Sequence, residues 1–391
     1  MERIYLDNAA TTAARPEVVD AMLPFFRSEY ANASSLHSSG QRVRRSLEQA
    51  RDRTAAALGA QPEEIVFTGG GSEADSLAIF GIMARSGARD EFITTACEHH
   101  AVLHAAEALR KRGCRVTILP VDSQGFVALE TLRSALSAQT ALVSVIHANN
   151  EIGTIQPLDQ LAEIVHERGA LLHSDAVQSV GHIPLDVGRL GVDALSFSAH
   201  KFEGPKGVGG LFLRRGVAIE PLIHGGGQED GRRAGTENVP GIVGLSVALE
   251  LAVRELPQTA PGMSALRDEF IAGLLRDIPG TALNGPARER LPNNVNVRFA
   301  DIEGDTLVVG LDLVGIDVST GSACSSGSLE PSHVMTAIGL APGPARGCIR
   351  LSLGRSTSAE QLQRVRAALV PLVARLRTLS GALLPESAKA T

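Results

Sequence analysis

The sequence predicts an α/β protein: a large domain with a mainly parallel sheet flanked by helices, plus a smaller α+β domain. From about residue 64, short and almost wholly apolar runs alternate with amphipathic stretches. Such runs are typical of parallel strands that are buried on both faces. At 253–263, two prolines and a glycine precede a new series of helical and strand-like patterns. This change of pattern predicts a second domain.

Each apolar run predicts one strand of the large domain. The runs are EIVF (64–67), EFITTA (91–96), RVTILPV (115–121), ALVSVIHA (141–148), ALLHSDA (170–176), DALSFSA (193–199) and GGLFLR (209–214). Stretches between them, such as LDQLAEIVHERG (158–169), have the apolar spacing of an amphipathic helix. We expect a large domain over 15–255 and a small domain over 256–391, with residues 1–14 packed on the small one.

Composition narrows the classes of function. The chain has 391 residues, with 37 Lys+Arg against 43 Asp+Glu and a net charge of -6. This balance argues against direct binding to nucleic acid or to an anionic membrane surface. No apolar run approaches the ~18–20 residues that span a bilayer. The start, MERIYLDNAATT, lacks a secretion-signal pattern, so we expect a cytoplasmic protein that acts on small polar ligands.

A glycine-rich segment, TGGGSEADS (68–76), follows the first of these strands and opens a helix. Backbone N–H groups at such a turn bind anions, so Gly71 and Ser72 predict a phosphate site. Gly69, Gly71 and Ala74 also satisfy the dinucleotide fingerprint, but the candidate ribose-binding acid, Glu98, comes several residues too late. A purely structural glycine turn is the third interpretation.

A lysine and an aspartate follow two other buried strands. Lys201 lies in SFSAHKFEGPKGVGG (196–210), after Ser198 and His200, and Asp175 ends the strand of HSDAVQS (173–179) with Gln178 one turn further. Pyridoxal phosphate needs a lysine for a Schiff base, a carboxylate at the pyridine nitrogen and an anion cradle. All three are present, although single lysines and aspartates are usually solvated surface residues.

Three further side chains are candidates for chemistry. His99, at a strand end, could stack on a pyridine ring or move protons, or simply cap a helix. Asn150 follows the strand ALVSVIHA and could bind a ring hydroxyl or substrate, although Asn-Asn is also an ordinary turn. Arg350, in CIRLSLGR, could bind a carboxylate, with a surface ion pair as the alternative.

Of four cysteines, Cys324 stands apart. It lies among Ser and Gly in STGSACSSGSLEPS (319–332), which predicts an exposed loop and a reactive thiol. Cys97, Cys114 and Cys348 adjoin apolar runs, which predicts inert packing. There is no CxxC pair and no disulfide framework. No second Cys or His lies at ligand spacing from Cys324, so no metal site is predicted.

With these residues in place, the chain resembles cysteine desulfurases of the NifS/IscS type, which are fold-type I pyridoxal-phosphate enzymes of the class V aminotransferase family. The similarity covers nearly the whole chain. Its motifs are YLDNAATT (5–12), NASSLH (32–37), EHHAVL (98–103), HANNEIGTIQP (147–157), HSDAVQSVG (173–181), SFSAHKFEGPKGVGGL (196–211), HGGGQEDGRRAGTEN (224–238), GSACSSGSLEPSHV (321–334) and IRLSLGR (349–355).

The resemblance implies a role for each candidate. Lys201 would bind the cofactor covalently, Asp175 would pair with the pyridine nitrogen and Cys324 would accept sulfur. The remaining implied contacts are His99 stacked on the ring, Gln178 at its phenolic oxygen, Asn150 at cofactor and substrate, Gly71, Ser72, Ser198 and His200 at the phosphate with Thr236 from the other subunit of a homodimer, and Arg350 with the neighbourhood of Asn32 at the substrate carboxylate.

The sequence departs from the family pattern in places. Ser72 replaces the usual threonine and Ala33 a frequent proline, while the GGG at 69–71 is more flexible than the common SGA. These changes keep the chemistry but bear on loop rigidity and cofactor affinity. The tract around Cys324 matches the long-loop branch of the family.

The resemblance implies conversion of L-cysteine to L-alanine, with sulfur transferred to Cys324 as a persulfide for iron–sulfur cluster assembly, other thio-cofactors or tRNA thiolation. It implies a sulfur-acceptor partner such as an iron–sulfur scaffold, and allows Cys324 to serve transiently as a cluster ligand with that partner. Alternatives are a small-substrate aminotransferase or a selenocysteine lyase of the same fold, a nucleotide-dependent oxidoreductase, and a non-enzymatic sulfur carrier.

Overall fold

The computed structural model describes residues 3–320, 331–379 and 381. Within them the strands are β1 (Ile4–Tyr5), β2 (Ile65–Thr68), β3 (Glu91–Thr95), β4 (Arg115–Leu119), β5 (Thr140–Ser144), β6 (Leu171–Asp175), β7 (Ala194–Ser198), β8 (Gly209–Leu213), β9 (Thr281–Leu283), β10 (Asn294–Phe299), β11 (Ile316–Asp317) and β12 (Cys348–Ser352). The helices are α1 (Pro16–Arg27), α2 (Ser38–Leu58), α3 (Gly71–Arg85), α4 (His100–Lys111), α5 (Leu129–Ala135), α6 (Leu158–Glu167), α7 (Val187–Leu190), α8 (Val239–Asp277), α9 (Gly304–Asp312), α10 (His333–Ala337), α11 (Pro342–Arg346) and α12 (Ala359–Leu379).

The central sheet has seven strands in the order β2-β8-β7-β6-β5-β3-β4. Strand β8 runs antiparallel to both of its neighbours, and the other adjacent pairs are parallel. All seven predicted runs form strands of this sheet, so the predicted mainly parallel α/β architecture is confirmed. The sheet also shows that the dinucleotide interpretation of the glycine loop is wrong. In that fold the strand before the loop pairs with the next strand of the chain, whereas β2 and β3 are not adjacent.

The sheet is buried on both faces because successive strand residues point to opposite sides. On one side, Ile93 and Val143 belong to the core that includes residues of α2, α6 and α8. On the other, Phe92 and Leu142 belong to the core that includes residues of α3 and α4. This double coverage explains why the strands are apolar nearly throughout.

The remaining strands form two small sheets. Strands β12, β10 and β9 form an antiparallel sheet, and β1 pairs in parallel with β11. The core beneath them contains Ile4 and Leu6 together with residues between 270 and 373. The first strand of the chain therefore packs with C-terminal elements.

The predicted domain boundary lies inside a continuous helix. Helix α8 spans 39 residues and contains Pro257 and Pro261, so 253–263 is not an irregular linker. Each proline removes one backbone donor, but packing at both ends sustains the helix. Leu249 packs in the core of the large sheet and Leu274 in that of the small sheets. The division at 255/256 stays a prediction, and a helix joins its two sides.

Among the described residues, no helix combines the length and the apolar character needed to cross a membrane.

Candidate active site

A cavity of about 310 Å³ lies at the carboxyl-terminal edge of the central sheet, bordered by the N-terminal segment and β12. Ten of the residues predicted from the sequence line it: Gly71, Ser72, His99, Asn150, Asp175, Gln178, Ser198, His200, Lys201 and Arg350. Its volume is in the range of about 300–1,000 Å³ that small-molecule sites occupy.

Strand register brings the lysine and the aspartate together. Strands β6 and β7 pair in parallel with Asp175 opposite Ser196, so both strands end at the same edge. Asp175 is the last residue of β6, and Lys201 lies three residues beyond the last residue of β7 in a short 3-10 helix. The predicted cofactor-binding pair therefore shares one cavity, as open parallel sheets favour.

The N-terminal segment closes one side of the cavity. The amine of Lys201 donates hydrogen bonds to the backbone oxygens of Ala9 at 2.6 Å and Ala10 at 2.9 Å. The side-chain amide of Gln178 donates to the same Ala9 oxygen at 2.8 Å. The sequence did not predict this contribution, because the contacts are made by backbone oxygens and the alanine side chains have no reactive group.

Asp175 is buried and electrostatically constrained. Its Oδ1 accepts a hydrogen bond from the backbone N–H of Val177 at 2.9 Å. Burial raises the pKa of Asp175, and the charges of His99 and Lys201 oppose the rise. Ionised and buried in the same cavity as the amine of Lys201, this carboxylate can hold a proton on a ring nitrogen.

His99 both caps a helix and lines the cavity. Its Nδ1 accepts a hydrogen bond from the backbone N–H of Ala101 at 3.1 Å, at the N-terminus of α4. The capping role considered for this residue is therefore real and coexists with a place in the site. Because Nδ1 accepts, a neutral imidazole carries its proton on Nε2.

Asn150 and its neighbour divide two roles. Asn149 forms the turn, since its Oδ1 accepts from the backbone N–H groups of Glu151 and Ile152, each at 2.9 Å. Asn150 lines the cavity. The turn interpretation thus applies to Asn149, and the binding role of Asn150 stays a prediction.

Arg350 lies in a buried ion pair. Its Nη2 is 2.8 Å from Oδ1 of Asp7, its Nη1 donates to the backbone oxygen of Asn150 at 3.0 Å, and it is 2 % exposed. The alternative of a surface pair is therefore wrong. A guanidinium is a costly group to bury, so its place at a ligand cavity favours a role in binding a carboxylate.

The glycine loop has the close approach expected of an anion cradle. A Cβ on Gly71 would lie 2.7 Å from Cγ2 of Val177, and Gly70 has a φ of +154°. Ser72 follows at the N-terminus of the 15-residue helix α3. In the same cavity, burial lowers the pKa of His200 to about 4, so this ring is neutral near pH 7. The loop, Ser198 and His200 thus offer polar groups to a phosphate.

Three predicted site residues are not among the described residues that line the cavity. Thr236 is exposed and does not line this chain's cavity. Asn32 is also exposed, and its Oδ1 accepts from the backbone N–H of Ser34 at 2.8 Å. Cys324 lies outside the described residues. Their roles stay predictions.

The other cysteines differ in exposure. Cys97 and Cys348 are buried, and burial raises the pKa of both thiols, that of Cys348 to about 11. Cys114 is only partly buried. The predicted burial is confirmed for Cys97 and Cys348, and their inertness stays a prediction.

Several lining residues were not predicted. They are Ala9, Ala10, Asp75, His100, Ile146, Glu151, Val177 and His333. Among the described residues, the group that brings three potential metal-ligand atoms within 4.8 Å of one another is Asp75, His99 and Asp175, inside this same cavity. Two of these residues are acidic and lie close in sequence to predicted ones, Asp75 three positions after Ser72 and Glu151 directly after Asn150, which was the signal available.

Comparison with known proteins now adds to this geometry. The family model described as aminotransferase class-V matches residues 4–365. The chain belongs to the class-V aminotransferase family. Within this family it is 50% identical, over 96% of both chains, to "Cysteine desulfurase IscS" of Dictyoglomus turgidum. The resemblance noted from the sequence is confirmed.

Solved structures of similar proteins have the same fold. A "NifS-like protein" superposes with a TM-score of 0.88 at 40% identity, covering 97% of this chain and 100% of the other. "SspA in complex with cysteine" has a TM-score of 0.80 at 37% identity, covering 90% and 98%. The fold prediction is confirmed by these neighbours.

Class-V family members of the NifS/IscS type depend on pyridoxal 5'-phosphate. The residues present fit this cofactor. One cavity provides an amine at Lys201, a buried carboxyl at Asp175 and a loop at Gly71 with no room for a side chain. These match the covalent, ring-nitrogen and phosphate requirements.

Proposed function

We propose that this protein is a pyridoxal-phosphate-dependent cysteine desulfurase that converts L-cysteine to L-alanine and passes the sulfur to Cys324. The observation that carries the proposal is that Lys201, Asp175 and Arg350 line one cavity. The solved relative described as a complex with cysteine supports this substrate.

The cofactor, when bound, supplies a carbon that amines attack and a ring that withdraws electrons from the substrate Cα. Lys201 Nζ would bind the cofactor covalently and, once freed by the substrate amine, would take the Cα proton. Asp175 would keep a proton on the ring nitrogen. Arg350 would bind the substrate carboxylate with its planar fork.

The other lining residues would orient the reactants. His99 would stack on the ring and transfer protons, and Gln178 would reach the ring oxygen. Asn150 would position cofactor and substrate. The phosphate would be held by Gly71, Ser72, Ser198 and His200.

Sulfur transfer would consume one thiol of the protein. The thiolate of Cys324 attacks the substrate sulfur, an S–S bond forms and the Cβ–S bond breaks with its electron pair left on carbon. A proton then completes the methyl group of alanine. L-Cysteine and the thiol of Cys324 thus yield L-alanine and a persulfide, with atoms and electrons balanced.

The test compares two cysteine variants with L-cysteine as substrate. Cys324→Ser should keep the cofactor absorption and its change on adding L-cysteine, while sulfide release falls to background. The control, Cys114→Ser, changes a cysteine that does not line the cavity and should match the parent. Sustained sulfide release by Cys324→Ser would contradict the acceptor role. Amino-group transfer to a keto acid, without sulfide from the parent, would indicate an aminotransferase.

We further propose a homodimer in which Thr236 serves the partner's site. Thr236 is exposed and is not among the residues that line this chain's cavity, which supports an intersubunit role. Co-expressed hybrids of Lys201→Ala and Thr236→Ala subunits would test it. If Thr236 acts across the interface, one site of each hybrid regains parental cofactor affinity. Hybrids that bind cofactor no better than Thr236→Ala alone would contradict it.

The persulfide would pass to an acceptor protein such as an iron–sulfur scaffold, in the cytoplasm. The thiol of Cys324 would have to return to its reduced form after each transfer. A compartment that keeps cysteines reduced, such as the cytoplasm, suits this cycle. Transfer of radiolabelled sulfur from L-cysteine to purified scaffold, absent with Cys324→Ser, would test this partner. Label that stays on the enzyme would contradict it.

A further inference from the structure

A second acid lies beside Asp175 and has no part in the proposed chemistry. Asp75 is on α3, three residues after Ser72, and is 1 % exposed. Its side chain lines the cavity. One oxygen of Asp75, one of Asp175 and a ring nitrogen of His99 all lie within 4.8 Å of one another.

One hydrogen bond, from the side chain of Ser196, favours a negative charge on Asp75, and burial and the charge of Asp175 oppose that charge more strongly. Oδ1 of Asp75 has no hydrogen-bond partner among the described residues. Nε2 of His173 lies 3.7 Å from Oδ1 of Asp75. Burial lowers the pKa of His173 to about 3, so that ring is neutral. His173 is also held by two hydroxyls, with Nδ1 2.8 Å from Ser144 Oγ and Nε2 2.9 Å from Ser196 Oγ.

Two basic side chains of the cavity, His99 and Lys201, favour the ionised form of Asp175. Burial, and then the charge of Asp175, raise the pKa of Asp75 well above its usual range, while Ser196 opposes the rise and Glu98 adds to it. Two buried carboxyls this close do not both ionise, because each disfavours the charge of the other.

We propose that Asp75 is a positioning residue that remains a neutral carboxylic acid, and that this neutrality keeps the single negative charge of the pair on Asp175. The function of that charge at the ring nitrogen rests on the proposed function. The protonation of Asp75 itself does not, since it follows from the protein alone. In this arrangement Asp75 fills the space beside Asp175 without competing for the ring proton.

Infrared spectroscopy tests the protonation directly and needs no turnover. The difference spectrum between the parent and Asp75→Asn, both near pH 7 and without cofactor, should lose the carbonyl stretch of a protonated acid. Glu73→Gln is the matched control, because Glu73 is on the same helix and is ion-paired with Arg233 at 2.9 Å. It should lose only carboxylate bands. Loss of only carboxylate bands in Asp75→Asn would overturn the proposal.

If Asp75→Asn fails to fold, isotope labelling of the parent protein tests the same protonation. The parent protein with 13C in its aspartate carboxyls should show a protonated-acid band shifted by the label. No such band near pH 7 would overturn the proposal. One bound divalent ion per chain, found by metal analysis together with carboxylate bands alone, would also overturn it, since Asp75 would then be a ligand.

The effect of Asp75 on the charge of Asp175 is measured on the holoenzyme. Asp75→Asn is neutral and of the same shape, so the pH titration of cofactor absorption should stay at the parental midpoint. Asp175→Asn should shift that midpoint. A shifted midpoint in Asp75→Asn would show that Asp75 carries charge, and would overturn the inference. If the infrared result holds while L-cysteine is not turned over, the proposed function fails and the protonation stands.

Discussion

The amine of Lys201 lies 2.6 Å from the backbone oxygen of Ala9, nearly two hundred positions earlier in the chain. The N-terminal segment thus holds the amine where the cofactor is expected to be attached. Gln178 shares the same oxygen. Lysine, amide and backbone form one hydrogen-bonded unit at the rim of the sheet.

Loss of the Lys201 amine should abolish covalent attachment of the cofactor. Lys201→Ala loaded with pyridoxal 5'-phosphate should lack the absorption band of the lysine-linked form, and borohydride should fix no cofactor to the chain. The control is Lys206→Ala, because Lys206 is exposed and does not line the cavity. A parental spectrum in Lys201→Ala would show that the lysine assignment is wrong.

Arg350→Lys keeps a positive charge but loses the planar fork. Hydrogen bonds to charged groups are worth about 1.5–3 kcal/mol, so KM for L-cysteine should rise about ten- to a hundredfold, with a smaller change in kcat. Arg355→Lys, which alters an arginine outside the cavity, should leave KM unchanged. Equal KM values for the two variants would contradict the carboxylate role.

Two variants of His99 separate its role as a helix cap from its proposed role in catalysis. Asn is a good N-cap, so His99→Asn should keep the free energy of unfolding while kcat falls about 10²–10⁴-fold. His99→Ala should lose the same activity and, in addition, about 1 kcal/mol of stability. Chemical denaturation and steady-state kinetics on both variants provide the measurements. Parental activity in His99→Asn would confine the residue to capping.

Glu98 predicts a pH-dependent stability. Its Oε1 accepts hydrogen bonds from Thr95 Oγ1 and from the backbone N–H of Ile146, each at 2.8 Å. Burial nevertheless raises the pKa of Glu98 from 4.5 to about 8. Because the folded state binds this proton more tightly than the unfolded one, stability due to Glu98 is present below pH 4.5 and is lost as pH rises towards 8.

The free energy of unfolding of Glu98→Gln should therefore increase relative to that of the parent as pH rises from 4.5 to 8, by up to about 1.4 kcal/mol per pH unit. Above pH 8 the difference should stay constant. Urea unfolding at several pH values measures this difference. Glu107→Gln is the control, because Lys111 lowers the pKa of that exposed glutamate. The difference in free energy of unfolding between Glu107→Gln and the parent should not increase over this pH range. A pH-independent difference for Glu98→Gln would contradict the prediction.

The strands and most site residues could be predicted because their signals are local. A strand buried on both faces is an apolar run, and a residue just after it reaches the rim. Asp175, His99 and Lys201 were found in this way. The continuity of α8 through 253–263 was not predicted, because prolines usually end helices, whereas here packing at both ends sustains the helix.

What the sequence by itself determined is the set of strands, the family and the chemical identity of the groups at the strand ends, since these depend on composition and short-range order. The tertiary structure decided which distant groups meet. It placed Ala9 against Lys201, Asp7 against Arg350 and Asp75 beside Asp175. Such contacts depend on strand order and packing across the whole chain, and no local pattern records them.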